Sequence, residues 1–163
     1  MFQAVSLAVI ALLTVIDRLT KYAAVMTVKV NGPKEFLFGL FQFRYVENTG
    51  AAFSLFSDNT KLLSVLTVII LAVCLIILMT RKIKPLFLNI CLLLVIAGGL
   101  GNVIDRIAYG YVVDFIEPLF IDFAVFNFAD CCVVVGVILL LIQMIFFDFK
   151  NDKKEKEKVT ENE

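Results

Sequence analysis

Long uncharged apolar runs constrain this chain more than any other feature of its sequence. Three of them approach or reach the length that spans a lipid bilayer. They are Leu62–Thr80, Pro85–Ile104 and Cys131–Phe147. A helix rises about 1.5 Å per residue, so it needs roughly 20 residues to cross a hydrocarbon core of about 30 Å. The third run is short by this rule, but the interfacial residues 127–129 extend it. Each run therefore predicts a transmembrane helix.

A fourth apolar run opens the chain. Phe2–Ile16 is uncharged, and apolar character resumes over Tyr22–Met26 after a polar break. A cleaved signal peptide begins with a basic region, which this run lacks, and Asp17, Arg18 and Lys21 follow it directly. We interpret the run as an uncleaved transmembrane helix with a polar outer end.

Composition supports a membrane protein. Hydrophobic residues make up 61% of the 163-residue chain, well above the share of a soluble domain, and the net charge of zero does not suggest nucleic acid as a partner. We predict an α-helical membrane protein with one membrane-embedded domain over residues 1–147. The predicted helices span about 2–26, 60–80, 85–106 and 127–147, the outer segments 27–59 and 107–126, and a charged, disordered cytoplasmic tail 148–163.

The distribution of basic residues predicts the orientation of the chain. Lysine and arginine are enriched in cytoplasmic loops. The loop TRKIKP between the second and third helices has three basic residues and no acid, and the tail KNDKKEKEKVTENE has five lysines. Both are therefore predicted to be cytoplasmic, together with the N-terminus. The stretch 105–126, which contains the second outer segment, is acidic, with Asp105, Asp114, Glu117 and Asp122 against Arg106 alone.

The outer segments contain strand patterns. In FGLFQFRYVEN, Phe41, Phe43 and Tyr45 alternate with polar residues, and this period of two predicts a strand with one apolar face. Aromatic rings favour the headgroup level of a membrane, which suits such a face. The stretch GYVVDFI has a similar strand-like run of β-branched residues.

Polar residues lie near the outer ends of the first and third predicted helices. Asp17 and Lys21 share a face by i, i+4 spacing, although an interfacial ion pair would explain them without any function. Asn102, Asp105 and Arg106 share a face by i, i+3 and i+4 spacing. The glycines of GGLG one turn earlier let helices approach closely. Close packing alone, however, does not explain three polar residues beside them.

The fourth predicted helix begins at NFAD. If Asn127 is the N-cap, Asp130 occupies the position of a capping box, which would explain this acid structurally. A cap does not explain Asp114 in VVDF. The predicted topology places all of these polar residues in one leaflet. Ionisable residues at membrane depth usually face the protein interior or a cavity, which makes them candidates for function.

Asp114 and Asp130 have no cationic neighbour in sequence. The chain contains no histidine, which excludes histidine-based zinc sites and every Ser-His or Cys-His nucleophile. Two unpaired acids in one pocket cannot both ionise cheaply, so they share a proton. One acid then activates water while the other donates a proton, without metal or cofactor. Because a helix N-terminus favours negative charge, we assign Asp130 as the ionised member and Asp114 as the protonated one.

Five sequence blocks resemble those of the lipoprotein signal peptidases, the signal peptidase II family. They are DRLTK (17–21), ENTGAAFSLF (47–56), GGLGNVIDR (98–106), VVDF (112–115) and FNFAD (126–130), in the order of the family. The resemblance implies an intramembrane aspartyl endopeptidase of the bacterial cytoplasmic membrane. Such enzymes cut the signal peptide from prolipoproteins before a cysteine that bears diacylglycerol. It also implies an outer β-cradle near residues 35–47 and a short interfacial flap helix near 51–57.

The resemblance assigns roles to individual residues. Asp114 and Asp130 would be the catalytic acids. The residues that would bind substrate or support the site are Asp17, Lys21, Asn48, Gly50, Asn102, Asp105, Arg106 and Asn127. The two from ENTGAAF would lie along the bound peptide, and the two from DRLTK would support the pocket. Arg18 stands where many members carry glutamine. We expect a monomer whose partners are lipid-modified prolipoproteins and membrane lipids, with the site near the outer face.

Two other readings fit the residues alone. A proton- or cation-conducting protein would use the same acids as a relay, and it predicts flux across the bilayer without peptide cleavage. The polar residues lie in one leaflet, whereas a relay needs them through the full thickness. A non-enzymatic scaffold held by small-residue packing predicts that Asp114→Asn and Asp130→Asn change little.

Overall fold

The structure is a computed structural model that describes residues 1–50, 59–81 and 85–160, with the backbone alone over 146–160. Its elements are helix α1 (Phe2–Asn31), strands β1 (Lys34–Phe36) and β2 (Phe41–Asn48), helices α2 (Thr60–Thr80) and α3 (Leu86–Tyr109), strand β3 (Val112–Pro118) and helix α4 (Phe128–Thr160). Within the described ranges, all four helices are long and apolar enough to cross a membrane. The predicted class, a helical membrane protein with a small sheet, is confirmed. The flap helix predicted near 51–57 lies outside the described residues.

Helices α1 and α3 both continue beyond their predicted ends. Helix α1 runs to Asn31 rather than residue 26 and stops at Gly32, which has a φ of 87°. Helix α3 runs to Tyr109 rather than residue 106 and stops at Gly110, with a φ of 81°. Glycine adopts positive φ without steric cost, so each glycine ends its helix.

The structure also differs from the prediction at the end of α4. The backbone stays helical over 148–160, where the sequence predicts a disordered tail. The tail places Asp152 four residues before Lys156, and oppositely charged residues at this spacing favour a helix. The part of α4 that is apolar enough to span a membrane is Phe128–Ile145.

Helix α3 packs against each of the other three helices, most extensively against α4. Glycines permit this contact. A Cβ atom at Gly98 would collide with the carbonyl oxygen of Ala129, and one at Gly136 would lie 2.9 Å from the carbonyl oxygen of Cys91. The close approach predicted from GGLG is therefore confirmed. It brings the first turn of α4 against the part of α3 that carries the polar residues.

The three strands form one antiparallel sheet in the order β1-β2-β3. Val46 of β2 lies opposite Asp114 of β3, after an irregularity in the pairing between Phe43 and Val46. Phe43 and Phe115 pack around Ala24 on the C-terminal half of α1. This contact fixes β3, and with it Asp114, relative to the helices. At the opposite end of the bundle the core is apolar, formed by Ile10, Leu78, Ile96 and Ala97.

Candidate active site

Strand β3 and the first turn of α4 bring Asp114 and Asp130 to one cavity of about 490 Å³. Asp114 is buried in the middle of β3, with 2% of its surface exposed. The polar side chains that line the cavity are those of Asn48, Asn102, Arg106, Asp114 and Asp130. The apolar part of the wall includes Phe123, Phe126, Val133 and Val134. Two carboxylates thus face a space that is apolar on one side.

The chain between the two acids folds back on itself. Phe126 returns to β3 and exchanges two backbone hydrogen bonds with Ile116, of 2.8 and 2.9 Å. Helix α4 begins two residues later. This local pairing is the reason that the start of α4, including Asp130, lies beside the strand that carries Asp114.

Asn127 connects the two acids. Its side-chain Nδ2 donates to Oδ1 of Asp114 at 2.6 Å, and its backbone N–H donates to Oδ2 of Asp130 at 3.0 Å. In return, the backbone N–H of Asp130 donates to Oδ1 of Asn127 at 2.9 Å. The predicted capping box is therefore confirmed. It does not exclude a second role for Asp130, since the other carboxylate oxygen accepts a hydrogen bond from Asn102 Nδ2 at 2.7 Å.

Asp114 accepts amide hydrogen bonds at both oxygens. Asn48 Nδ2 donates to Oδ2 at 2.8 Å, opposite the bond from Asn127. No ion pair among the described residues includes either Asp114 or Asp130. Burial, followed by the charge of Asp130, raises the pKa of Asp114 to about 6, while its two amide partners and Lys21 act in the opposite direction. Asp114 can therefore hold a proton close to neutral pH.

A second group of polar residues lies next to those that face the cavity, and its members form ion pairs with one another. Lys21 is 1% exposed, and its Nζ lies 2.9 Å from a carboxylate oxygen of both Asp17 and Asp105. The same Nζ donates to Asn102 Oδ1 at 2.9 Å. Arg18 forms a further ion pair with Asp105. Two buried acids are thus compensated by two cations, one of them half-exposed.

The two buried acids also hold the backbone next to Asp114 and Asp130. Asp17 Oδ1 accepts the N–H of Ala129 at 3.0 Å, one residue before Asp130. Asp105 Oδ2 accepts the N–H of Val113 at 3.2 Å, one residue before Asp114. Because Lys21 joins the two carboxylates, one continuous network positions both cavity-facing acids.

Arg106, which lines the cavity, is bound to Gly50. Arg106 Nη2 donates to the carbonyl oxygen of Gly50 at 2.8 Å, and the N–H of Gly50 donates to Asn48 Oδ1 at 2.9 Å. Among the residues that the structure describes, the Nε of Arg106 is buried without a hydrogen-bond partner.

The structure brings together all ten residues that the sequence predicts for the site. Their roles in binding or catalysis stay predictions, because geometry alone does not test them. Sequence reasoning missed the ion pair of Arg18 with Asp105, for which the only signal was a basic residue beside Asp17. It also missed the apolar wall, since Val133 and Val134 look like ordinary residues of a transmembrane run.

The chain is similar to proteins of one family. Residues 9–146 match the family model for signal peptidase (SPase) II. A lipoprotein signal peptidase of Streptococcus thermophilus (strain CNRZ 1066) is 39% identical over 139 residues, which cover 85% of this chain and 90% of that protein. One from Streptococcus pyogenes serotype M1 is 40% identical over 131 residues, covering 80% of this chain and 86% of that protein.

Two solved structures of a bacterial membrane enzyme have the same fold. The first superposes with a TM-score of 0.79 at 32% identity, covering 87% of this chain and 88% of the other. The second gives a TM-score of 0.76 at 32% identity, covering 86% of this chain and 92% of the other.

Proposed function

The chain belongs to the signal peptidase II family, and from this premise we propose that it removes signal peptides from diacylglyceryl-modified bacterial prolipoproteins, cutting before the lipidated cysteine. The family makes it a protease with several membrane-spanning helices. The observation that carries the finer proposal is the pair Asp114 and Asp130. Both face one cavity, neither has a cationic partner among the described residues, and amide groups orient both.

The pair supports an aspartyl mechanism. Asp130 lies in the first turn of α4, where the free N–H groups of a helix stabilise a carboxylate. Its carboxylate takes a proton from water as the water oxygen attacks the scissile carbonyl carbon. Asp114, whose pKa burial raises to about 6, donates a proton to the carbonyl oxygen. When the C–N bond breaks, the proton held by Asp130 passes to the leaving amine, and one hydroxyl of the tetrahedral intermediate returns a proton to Asp114 as the carboxyl group forms.

The walls of the cavity suit a lipidated peptide. Arg106 and Asn48 fix Gly50 at the polar side, where a peptide backbone can lie against the donors. Phe123 and Val134 line the opposite side, where acyl chains would exclude water from the reaction. In this proposal the substrate enters sideways from the bilayer. The chain acts as a monomer with both termini in the cytoplasm and the site near the outer face of the cytoplasmic membrane.

The conducting alternative receives less support. All buried charged residues in the described ranges belong to the cluster around the cavity. The opposite end of the bundle has an apolar core formed by Ile10, Leu78 and Ile96. A relay of protons across the bilayer would need ionisable groups there as well.

The decisive test replaces Asp114 and Asp130 separately by asparagine, in membranes that receive a diacylglyceryl-modified precursor. Each variant should lose at least about 100-fold in turnover, because asparagine neither takes up nor releases a proton. Asp122→Asn is the matched control, since Asp122 is an exposed acid of the same outer segment and should retain activity. A thermal melt in detergent checks that the variants fold. Near-normal turnover by either folded variant would overturn the mechanism.

A further inference from the structure

The turn between β1 and β2 has an unusual backbone for its sequence. Leu37, Phe38 and Gly39 follow one another with φ angles of 49°, 58° and 78°. The N–H of Leu40 closes the turn on the carbonyl oxygen of Leu37 at 3.1 Å. Tight hairpin turns with positive φ favour Asn, Asp and Gly. Leucine and phenylalanine are costly there, so turn geometry does not account for their presence.

These side chains point away from the protein. Phe38 is fully exposed, Leu37 is 56% exposed and Leu40 is 50% exposed. The loop after β3 adds to the same surface, because the N–H of Leu119 donates to the carbonyl oxygen of Leu40 at 2.8 Å. Further along that loop, Phe120 and Ile121 are also more than half exposed. We call this surface the apolar tip; it consists of Leu37, Phe38, Leu40, Leu119, Phe120 and Ile121.

The apolar tip is held rigidly relative to the helices. Phe120 packs edge-on against Phe41, with ring centroids 5.5 Å apart, and Phe41 belongs to β2. The sheet in turn packs on Ala24 and Val28 of α1 through Phe43 and Phe115. The tip therefore keeps a fixed position beside a helix that is long and apolar enough to span a membrane. It carries no charged residue of its own.

We propose that the apolar tip inserts into the outer leaflet, at the boundary between headgroups and acyl chains, and anchors the sheet to the lipid. A contiguous apolar surface is unfavourable in water, and aromatic residues are favoured at this depth of a membrane. The loop that forms half of the tip continues to Phe123, which lines the cavity. Anchoring the tip therefore also holds the apolar side of the cavity at the level of the lipid.

The sequence contains no tryptophan, so a single introduced tryptophan is the only source of tryptophan fluorescence. Phe38→Trp is the reporter, and Phe120→Trp is a second reporter on the other loop in case the first variant folds poorly. Arg44→Trp is the control, because Arg44 is an exposed residue of β2 outside the tip. Each variant of the full chain is reconstituted in phosphatidylcholine vesicles that carry bromine either near the headgroup end or near the middle of the acyl chain.

Lipid insertion predicts that both reporters emit at shorter wavelength than Arg44→Trp and are quenched several-fold more strongly, most of all by the shallow bromine. Quenching no stronger than that of Arg44→Trp would overturn the proposal. So would a blue shift without bromine quenching that grows with the protein-to-lipid ratio, because a second copy of the chain would then cover the tip. The readout requires no enzymatic activity, so its outcome is independent of the proposed peptidase function.

Discussion

Two groups of acids lie side by side in this protein and differ in whether a cation compensates their charge. Asp17 and Asp105 sit in the rear of the polar region, and each is within 2.9 Å of the ammonium group of Lys21. Asp114 and Asp130 face the cavity and receive hydrogen bonds from amide groups, with no ion pair in the described part of the chain. The rear acids, Asp17 and Asp105, are compensated by Lys21 and accept hydrogen bonds from backbone N–H groups. The front acids, Asp114 and Asp130, have no such cation in the described ranges, and the proposed mechanism uses the proton held by Asp114.

We expect the largest effect on stability from breaking the ion pairs that Lys21 forms with the rear acids. Lys21→Met removes the cation shared by Asp17 and Asp105 and leaves buried carboxylates undercompensated, which costs about 3–5 kcal/mol in the free energy of unfolding. Turnover should be lost as well, because both backbone anchors of the front acids loosen. Thermal melts in detergent and a cleavage assay measure the two effects.

Two further variants control this prediction. Lys29→Met removes an exposed cation of the same helix and should leave stability and turnover unchanged. Adding Asp17→Asn to Lys21→Met should recover part of the stability, since it removes one uncompensated charge. An unchanged melting temperature in Lys21→Met would show that the rear acids do not need this cation.

A smaller loss is expected from Gly101→Ala. The added Cβ would lie 2.5 Å from Asp17 Oδ2 and 3.2 Å from the Cβ of Ala129, so the rear group must shift. Overpacking of this kind costs about 1–3 kcal/mol in the free energy of unfolding. Turnover should fall with it, because Asp17 holds the backbone before Asp130. Ala108→Leu adds more volume on an exposed part of the same helix and is the control. Equal effects of the two variants would contradict the prediction.

The front group can be tested through pH. If Asp114 is the proton donor, kcat/KM falls as the pH rises through its pKa of about 6. The hydrogen bond from Asn48 stabilises the ionised form, so Asn48→Ala should raise this pKa and move the alkaline limb to higher pH by about one unit. Turnover itself will also fall, but the quantity to measure is the pH at which kcat/KM declines on the alkaline side.

The matched control for this shift is Asn31→Ala, which changes an exposed asparagine at the end of α1 and should leave the profile in place. A limb that stays fixed in Asn48→Ala, or moves to lower pH, would show that Asp114 is not the group that loses the proton.

The smallest effect is expected at an ion pair outside both groups. Arg44 is an exposed residue that pairs with Glu117 across β2 and β3 at 2.7 Å. Exposed pairs contribute about 0–1 kcal/mol, because water screens them and both side chains lose freedom. Arg44→Gln should therefore change the melting temperature little and turnover not at all. A loss comparable to that of Gly101→Ala would mean that the sheet contributes to the site through this pair.

Much of this arrangement could be predicted from local sequence. The helices follow from uncharged runs, β2 follows from the alternation of Phe41, Phe43 and Tyr45, and the capping box follows from three-residue spacing in NFAD. Helix ends were less predictable. The glycines Gly32 and Gly110 set the ends of α1 and α3, several residues beyond the ends predicted from the sequence.

Residue types and spacings determined by themselves that the chain has four membrane-capable helices, that each polar residue faces a particular side of its helix, and that Asp130 can cap α4. These depend on contacts within a few residues. Only the tertiary structure decided that Asp17 holds Ala129, 112 positions away, and that Lys21 joins two acids from different helices. Such pairings arise from the close packing of α3 on α4 and of the sheet on α1, and side-chain periodicity along one element carries no information about which distant element will meet it.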